Sequence, residues 1–145
     1  MLNNKTKYAI KALISLSKVA NGQSVHIGEL AEKDHIPQKF LEAILVELKH
    51  AGIIASRRGK MGGYMLSKPA EQIKVGEIIR LFNGPLALLP CASVTRHQRC
   101  SECIDEATCS LRTLMRQVRD MTSQLLDNTS LADLHHNASA TLYNI

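Results

Sequence analysis

The sequence predicts a mainly α-helical protein: a winged helix-turn-helix domain with a small two-stranded β wing, followed by a cysteine-rich loop and a long dimerisation helix. Three observations carry this. Amphipathic helical segments fill residues 8–50, a short hairpin pattern rich in cations follows, and an apolar stripe near heptad spacing lies toward the C-terminus. At 145 residues the chain has the size of one domain with a small appendage. Hydrophobic residues make up 45% and charged residues 21%, a composition that excludes a disordered chain. No apolar run approaches the roughly 18 residues that a membrane span needs. The first residues set lysines inside a periodic pattern without a small-residue cleavage site. Neither a signal peptide nor an anchor is expected, and the expected location is cytoplasmic.

The first helix is predicted from Tyr8 to Ala20, where Ile10, Leu13, Ile14, Leu16 and Ala20 approximate one face and Asn21-Gly22 closes the pattern. A short second helix fits His26 to Lys33, with Ile27, Leu30 and Ala31 inward. Asp34-His35-Ile36-Pro37 breaks the pattern, and Pro37 suits the first turn of a third helix, where its missing N–H costs nothing. That helix runs to His50, with Phe40, Leu41, Ile44, Leu45 and Leu48 on one face and Gln38, Lys39, Glu42, Glu47 and Lys49 on the other. Gly52 ends it. Extended runs at Ile53–Ser56 and Gly63–Ser67 flank residues 57–62, which hold three cations and two glycines. Helix, helix, turn, helix, basic hairpin is the order of a winged helix-turn-helix.

A fourth helix is expected over Val75–Phe82, before the break Asn83-Gly84-Pro85. Leu86–Thr108 shows no periodicity and reads as a long loop, of a length that is functional or disordered inside compact domains. From Cys109 to Asp127 the stripe is formed by Leu111, Leu114, Met115, Val118, Met121, Thr122, Leu125 and Leu126. Such a helix is ~28 Å long, more than the body before it needs as cover. The stripe is therefore expected to pair with its copy in a twofold homodimer, packing on its own winged domain being the alternative. The chain divides into a winged domain 1–84, a sensor loop 85–108, a dimerisation helix with its end 109–134, and a polar tail 135–145 expected to fray.

The net charge of +5 is unevenly placed. Residues 1–75 carry twelve of the eighteen Lys and Arg against six of the thirteen acids, a balance of +6, while the remainder sums to −1. Only the front half is suited to a polyanion. With no Trp, two Phe and three Tyr, a stacking platform for single strands is poorly supplied, so the partner expected is double-stranded DNA. On the third helix, Gln38, Lys39, Glu42 and Ala43 are placed to face base edges in the major groove. Glu42 has the chemistry to accept from a cytosine amino group, and Lys39 suits guanine or phosphate. Arg57, Arg58 and Lys60 on the hairpin suit a narrow minor groove. The competing account makes these side chains a solvated face.

All four cysteines, Cys91, Cys100, Cys103 and Cys109, fall in a C-x8-C-x2-C-x5-C array. In a chain without an export signal such bunching favours metal or redox chemistry over a disulfide framework. Four soft ligands suffice for a tetrahedral zinc site or an iron–sulfur cluster. A zinc ribbon shows two paired knuckles and only one is present, so the unequal spacing suits a cluster better. His97 is a substitute ligand by position, with a solvated loop histidine as the plainer reading. A disulfide switch is the third option, and Arg96, Arg99 and Arg112 nearby favour thiolate in each case. Signatures of an enzyme are absent: Gly59-Lys60-Met61-Gly62-Gly63 matches no nucleotide-binding fingerprint, and no helix carries histidines at four-residue spacing.

Several stretches together resemble the Rrf-two family of bacterial transcription regulators, which includes IscR-, NsrR- and CymR-like members. They are Lys7-Tyr8-Ala9, Ile36 to Leu48, Arg58-Gly59-x-x-Gly62-Gly63-Tyr64-x-Leu66, Val75-Gly76-Glu77-Ile78 and Asn128 to Leu134. The resemblance spans about residues 1–134. It implies a homodimer on a partly palindromic operator, with Glu42 at the base-discriminating position and Arg58 at the minor-groove position of the wing. It also implies that Cys91, Cys103 and Cys109 hold a 2Fe-2S or 4Fe-4S cluster. This chain departs from the pattern in its additional Cys100 and in Arg112, which stands where one branch places a histidine ligand; Cys100 is the candidate fourth ligand. The reading taken forward is a dimeric regulator with a cluster. The alternatives are a DNA-binding regulator with zinc or a disulfide switch in its place, and an adaptor that regulates an enzyme without binding DNA.

Overall fold

Helix α1 (Asn4–Ser17) begins ahead of the apolar periodicity because Asn3 caps it, its side chain accepting from the Thr6 amide at 2.8 Å. The computed structural model describes residues 1–140, with side chains through His136. In it α1 is followed by α2 (Ile27–Asp34), α3 (Gln38–His50), strands β1 (Ile54–Arg57) and β2 (Gly63–Leu66), α4 (Val75–Phe82), α5 (Ser110–Asn128) and α6 (Leu131–Ala140). Short 3-10 turns stand at Ala70–Gln72 and Pro90–Ala92. The expected elements are all present, displaced by a few residues at their ends. Among the described residues no helix is long and apolar enough to cross a membrane.

The core belongs to the winged body. Leu13, Leu30, Leu41, Ile44, Leu45, Leu48, Ile53, Ile73 and Ile78 are almost wholly buried, joined by Leu131 from α6. Ala9 and Ala12 share the inward face of α1, where small side chains admit α3 and α4 closely. The wing is a two-stranded antiparallel ribbon in which Ile54 pairs with Leu66 and Arg57 with Gly63. Val25, ahead of α2, adds a bridge to Tyr64 through bonds of 2.9 and 2.8 Å. Gly63 is required there: its φ is +142°, and a Cβ would overlap the Val25 carbonyl.

Helix α6 is the element that the sequence reading left out. Ser130 and Asp133 form a capping box, with Ser130 N–H donating to Oδ2 of Asp133 at 2.8 Å and Asp133 N–H donating to Ser130 Oγ at 3.2 Å. Leu131 is thereby carried into the core, and its amide donates to the Ile73 carbonyl at 3.0 Å. The helix takes in residues 135–140 of the segment read as a tail; residues 141–145 lie outside the described residues.

Candidate DNA-reading face and cysteine pocket

Helix α2 ends on His35, whose left-handed φ of 53° turns the chain into Pro37 and α3. Ile36, buried, anchors this turn. Of the residues expected to meet DNA, Gln38, Lys39, Glu42 and Ala43 are exposed on α3. Two of their polar neighbours have structural work instead. Glu47 pairs with Lys5 of α1, and Lys49 Nζ donates to Ser56 Oγ of β1 at 2.6 Å. On the wing Arg58 and Lys60 are exposed, while Arg57 donates through Nη1 to the Gly22 carbonyl at 3.2 Å and so also holds the wing to the body. Ser24 Oγ fixes the loop tip by donating to the Met61 carbonyl at 2.8 Å.

The four cysteines come from three parts of the chain and line one pocket of about 440 Å³, together with Glu106, Leu111 and Arg112. Cys91 sits in the 3-10 turn and is 4% exposed. Its sulfur lies 3.9 Å from that of Cys100, and this contact, with burial, pushes the Cys100 thiol above its ordinary pKa. Cys103 N–H donates to the Cys100 carbonyl at 3.2 Å, which closes the CxxC turn, and Arg99 donates to the carbonyls of Cys103 and Ile104 at 3.2 and 3.1 Å. Cys109 is the N-cap of α5, its sulfur accepting from the Arg112 amide at 3.4 Å. Among the described residues no three His, Cys, Asp or Glu groups converge on one metal position.

His97 does not line this pocket. It bonds Glu106 at 2.8 Å, and Glu106 also pairs with Arg112 at 3.3 Å. The His97 bond, first, and the nearby cations hold the Glu106 carboxyl below its ordinary range. Two contacts on α5 were invisible in the sequence. Arg112 Nε donates to the Cys91 carbonyl at 2.9 Å, and Arg119 Nη1 donates to the Ala92 carbonyl at 2.6 Å. The seven-residue spacing of these arginines shows that they share a helical face, but not what they touch. A third is the bidentate pair Arg80–Asp127, at 2.6 and 2.8 Å, which ties α4 to the end of α5. Gly76 makes room for it, since a Cβ there would overlap Oδ1 of Asp127.

Residues 2–137 match the Rrf2 family, described as iron-dependent transcriptional regulators. The chain belongs to the Rrf2 family. It is 39% identical over 137 residues to an rrf2-like HTH-type transcriptional regulator of Rhodobacter capsulatus, covering 92% of this chain and 91% of that one. Its fold is similar to that of the Bacillus subtilis global cysteine regulator CymR, with a TM-score of 0.78 and 26% identity over 94% of this chain and 97% of that chain. It is also similar to T. potens IscR, at a TM-score of 0.74 and 25% identity over 95% and 88%. As a member of Rrf2, the chain is a DNA-binding transcription regulator of winged-helix type and not an enzyme.

Proposed function

We propose that this Rrf2 regulator works in the cytoplasm as a homodimer on double-stranded DNA and senses redox, iron–sulfur or nitrosative status through a 2Fe-2S or 4Fe-4S cluster. Cys91, Cys103 and Cys109 are its ligands, with Cys100 as the fourth. The carrying observation is the single pocket that gathers all four thiols against the first turn of α5. Four thiols on one pocket suffice for an iron–sulfur core or for a zinc ion, and the C-x8-C-x2-C-x5-C spacing, with one paired knuckle where a zinc ribbon has two, favours the cluster. When bound, the cluster supplies sensitivity to oxidants and to nitric oxide. Arg112 serves as a positioning cation, since its guanidinium is engaged with the Cys91 carbonyl and Glu106.

The remaining steps belong to the chain itself. Movement of the Cys91 turn is passed to α5 by Arg112 and Arg119, and α5 passes it to α4 through Asp127 and Arg80. Helix α4 packs on α1, behind the recognition helix. The outward positions Leu111, Leu114, Val118, Met121 and Leu125 repeat at heptad a and d spacing, the pattern that seats a second copy. DNA contact falls to Gln38, Lys39, Glu42, Ala43, Arg57, Arg58 and Lys60. Protein purified without oxygen is expected to be brown, to contain iron and acid-labile sulfide, and to lose its visible absorption in Cys103→Ala; colourless protein with stoichiometric zinc would refute the cluster. The Cys91–Cys100 approach of 3.9 Å favours one second reading, a thiol–disulfide switch, which mass spectrometry of air-oxidised protein would reveal as a loss of two hydrogens.

A further inference from the structure

The outward arc of α3 has an apolar centre. At about 100° per residue, Val46 projects at the middle of that arc, between the directions of Lys39 and Glu42 and beside Ala43. Leu41, Ile44, Leu45 and Leu48 occupy the opposite arc and are buried. Val46 is 51% exposed, and Lys39, Glu42, Lys49 and His50 around it are exposed as well. The other large exposed apolar side chain of this helix, Phe40, is accounted for: Tyr8 meets its ring edge-on at a centroid distance of 5.7 Å. No such aromatic contact explains Val46. A β-branched side chain brings a helix surface no propensity gain over alanine or a charged residue.

We propose that Val46 reads the C5 methyl group of thymine in the major groove, with the Ala43 methyl beside it. This rests on the DNA-binding reading of α3. Of the four bases, only thymine presents an apolar group in that groove, so an aliphatic side chain at the centre of a reading face has one complementary partner there. Lys39 on the same arc, with Arg58 and Lys60 on the wing, supplies the attraction to phosphate that presses this face onto a duplex. Glu42 lies one turn before Val46 on the arc, where its carboxylate accepts from a base amino group. The two residues thereby read neighbouring pairs, an amino donor at one and a thymine at the other.

The test begins with an operator selected from random duplexes by the full wild-type chain. Each thymine is then replaced singly by deoxyuridine, which deletes the methyl group alone. Wild type is expected to lose about fourfold in affinity at one or two thymines per half-site, the equivalent of about 0.8 kcal/mol for one buried methyl. Val46→Ser, at a surface position, is expected to bind the unmodified operator about fourfold more weakly and to ignore the substitution at those thymines. Its salt dependence should match wild type, because no phosphate contact is removed. Full methyl sensitivity retained in Val46→Ser, or an operator with no sensitive thymine, overturns the assignment. So does a changed sedimentation coefficient with methyl sensitivity intact, which would make Val46 a protein contact. If wild type selects no duplex at all, the DNA-binding reading of α3 fails first and the inference falls with it.

Discussion

The winged body hides Leu13, Leu41, Ile44, Leu45 and Leu48 almost completely, whereas α5, the longest helix, has no buried residue. Leu111, Leu114, Met121 and Leu125 on α5 are 56, 51, 72 and 67% exposed. The body therefore rests on apolar burial, worth about 1.5–3 kcal/mol for each large side chain. The cysteine turn hides only Cys91, Ala92 and Ser93 and is tied to α5 by guanidinium bonds to backbone carbonyls, each worth about 1.5–3 kcal/mol and each replaceable by water once the turn opens. Regions of the second kind open locally at low cost. A DNA-reading helix needs the first kind of support, and the sensing role proposed for the cysteine turn needs the second.

The sharpest way to break this contrast is to substitute a leucine in each region. Leu45→Ala leaves a cavity in the core and is expected to cost about 2–5 kcal/mol, lowering the melting temperature of the whole chain. Leu114→Asp is expected to leave helix content unchanged, because half of that side chain already faces solvent and no buried core closes over it. It should instead convert a dimer into a monomer in sedimentation and weaken operator binding more than tenfold, as two half-sites are no longer read together. A Leu114→Asp protein that remains dimeric would remove α5 from the subunit interface.

The same contrast explains what could be read in advance. The helices and the wing were legible because burial writes a period into the sequence: Leu41, Ile44, Leu45 and Leu48 repeat at helical spacing, and Arg57 to Gly62 marks a loop. The edges were less legible, since caps such as Asn3 act through one side chain. Helix α6 was missed although Ser130-x-x-Asp133 is a capping box, because the small, polar residues after it carry no apolar stripe. The cysteines announced themselves by clustering. Their partners did not, because Arg112 and Arg119 bind backbone carbonyls, and a carbonyl leaves no trace in residue identity. Val46 sits by spacing at the middle of the polar arc of α3, and its exposure confirms that it points outward.

A smaller and more local effect is expected at Arg119. Its side chain is 14% exposed, and its guanidinium donates to the carbonyl of buried Ala92 while also pairing with exposed Asp120. Arg119→Ala leaves that carbonyl without its donor, at a cost of about 1–3 kcal/mol. The loss should be confined to the turn, where the amides of Ala92, Ser93 and Gln98 bond to Leu89 and Pro90. Hydrogen exchange at these amides is expected to accelerate about tenfold or more, while amides of α3 keep their protection. Equal acceleration in α3 would show that turn and body unfold as one unit, and the division between them would not hold.

The smallest effect concerns the joint between the two regions. The side-chain bond from Arg80 holds the Asp127 carboxyl below its ordinary range. Because the folded value is the lower one, the pair's contribution is complete above the unfolded aspartate pKa of about 3.9 and disappears as pH falls through the folded value. The reciprocal shift of Arg80 is upward, away from any working pH, so only the carboxylate reports. Both side chains are more than a third exposed, which limits the pair to under ~1 kcal/mol. Asp133, lowered first by the Ser130 amide, and Glu106, lowered first by His97, also carry depressed values, so the pH dependence of wild type alone would mix their contributions with that of the joint. The difference in stability between wild type and Asp127→Asn isolates the joint: it should be constant from neutral pH to about pH 5 and shrink as the pH falls below the unfolded aspartate pKa of about 3.9. A difference that persists at low pH would mean that Asp127 acts there by packing against Gly76 and not by its charge.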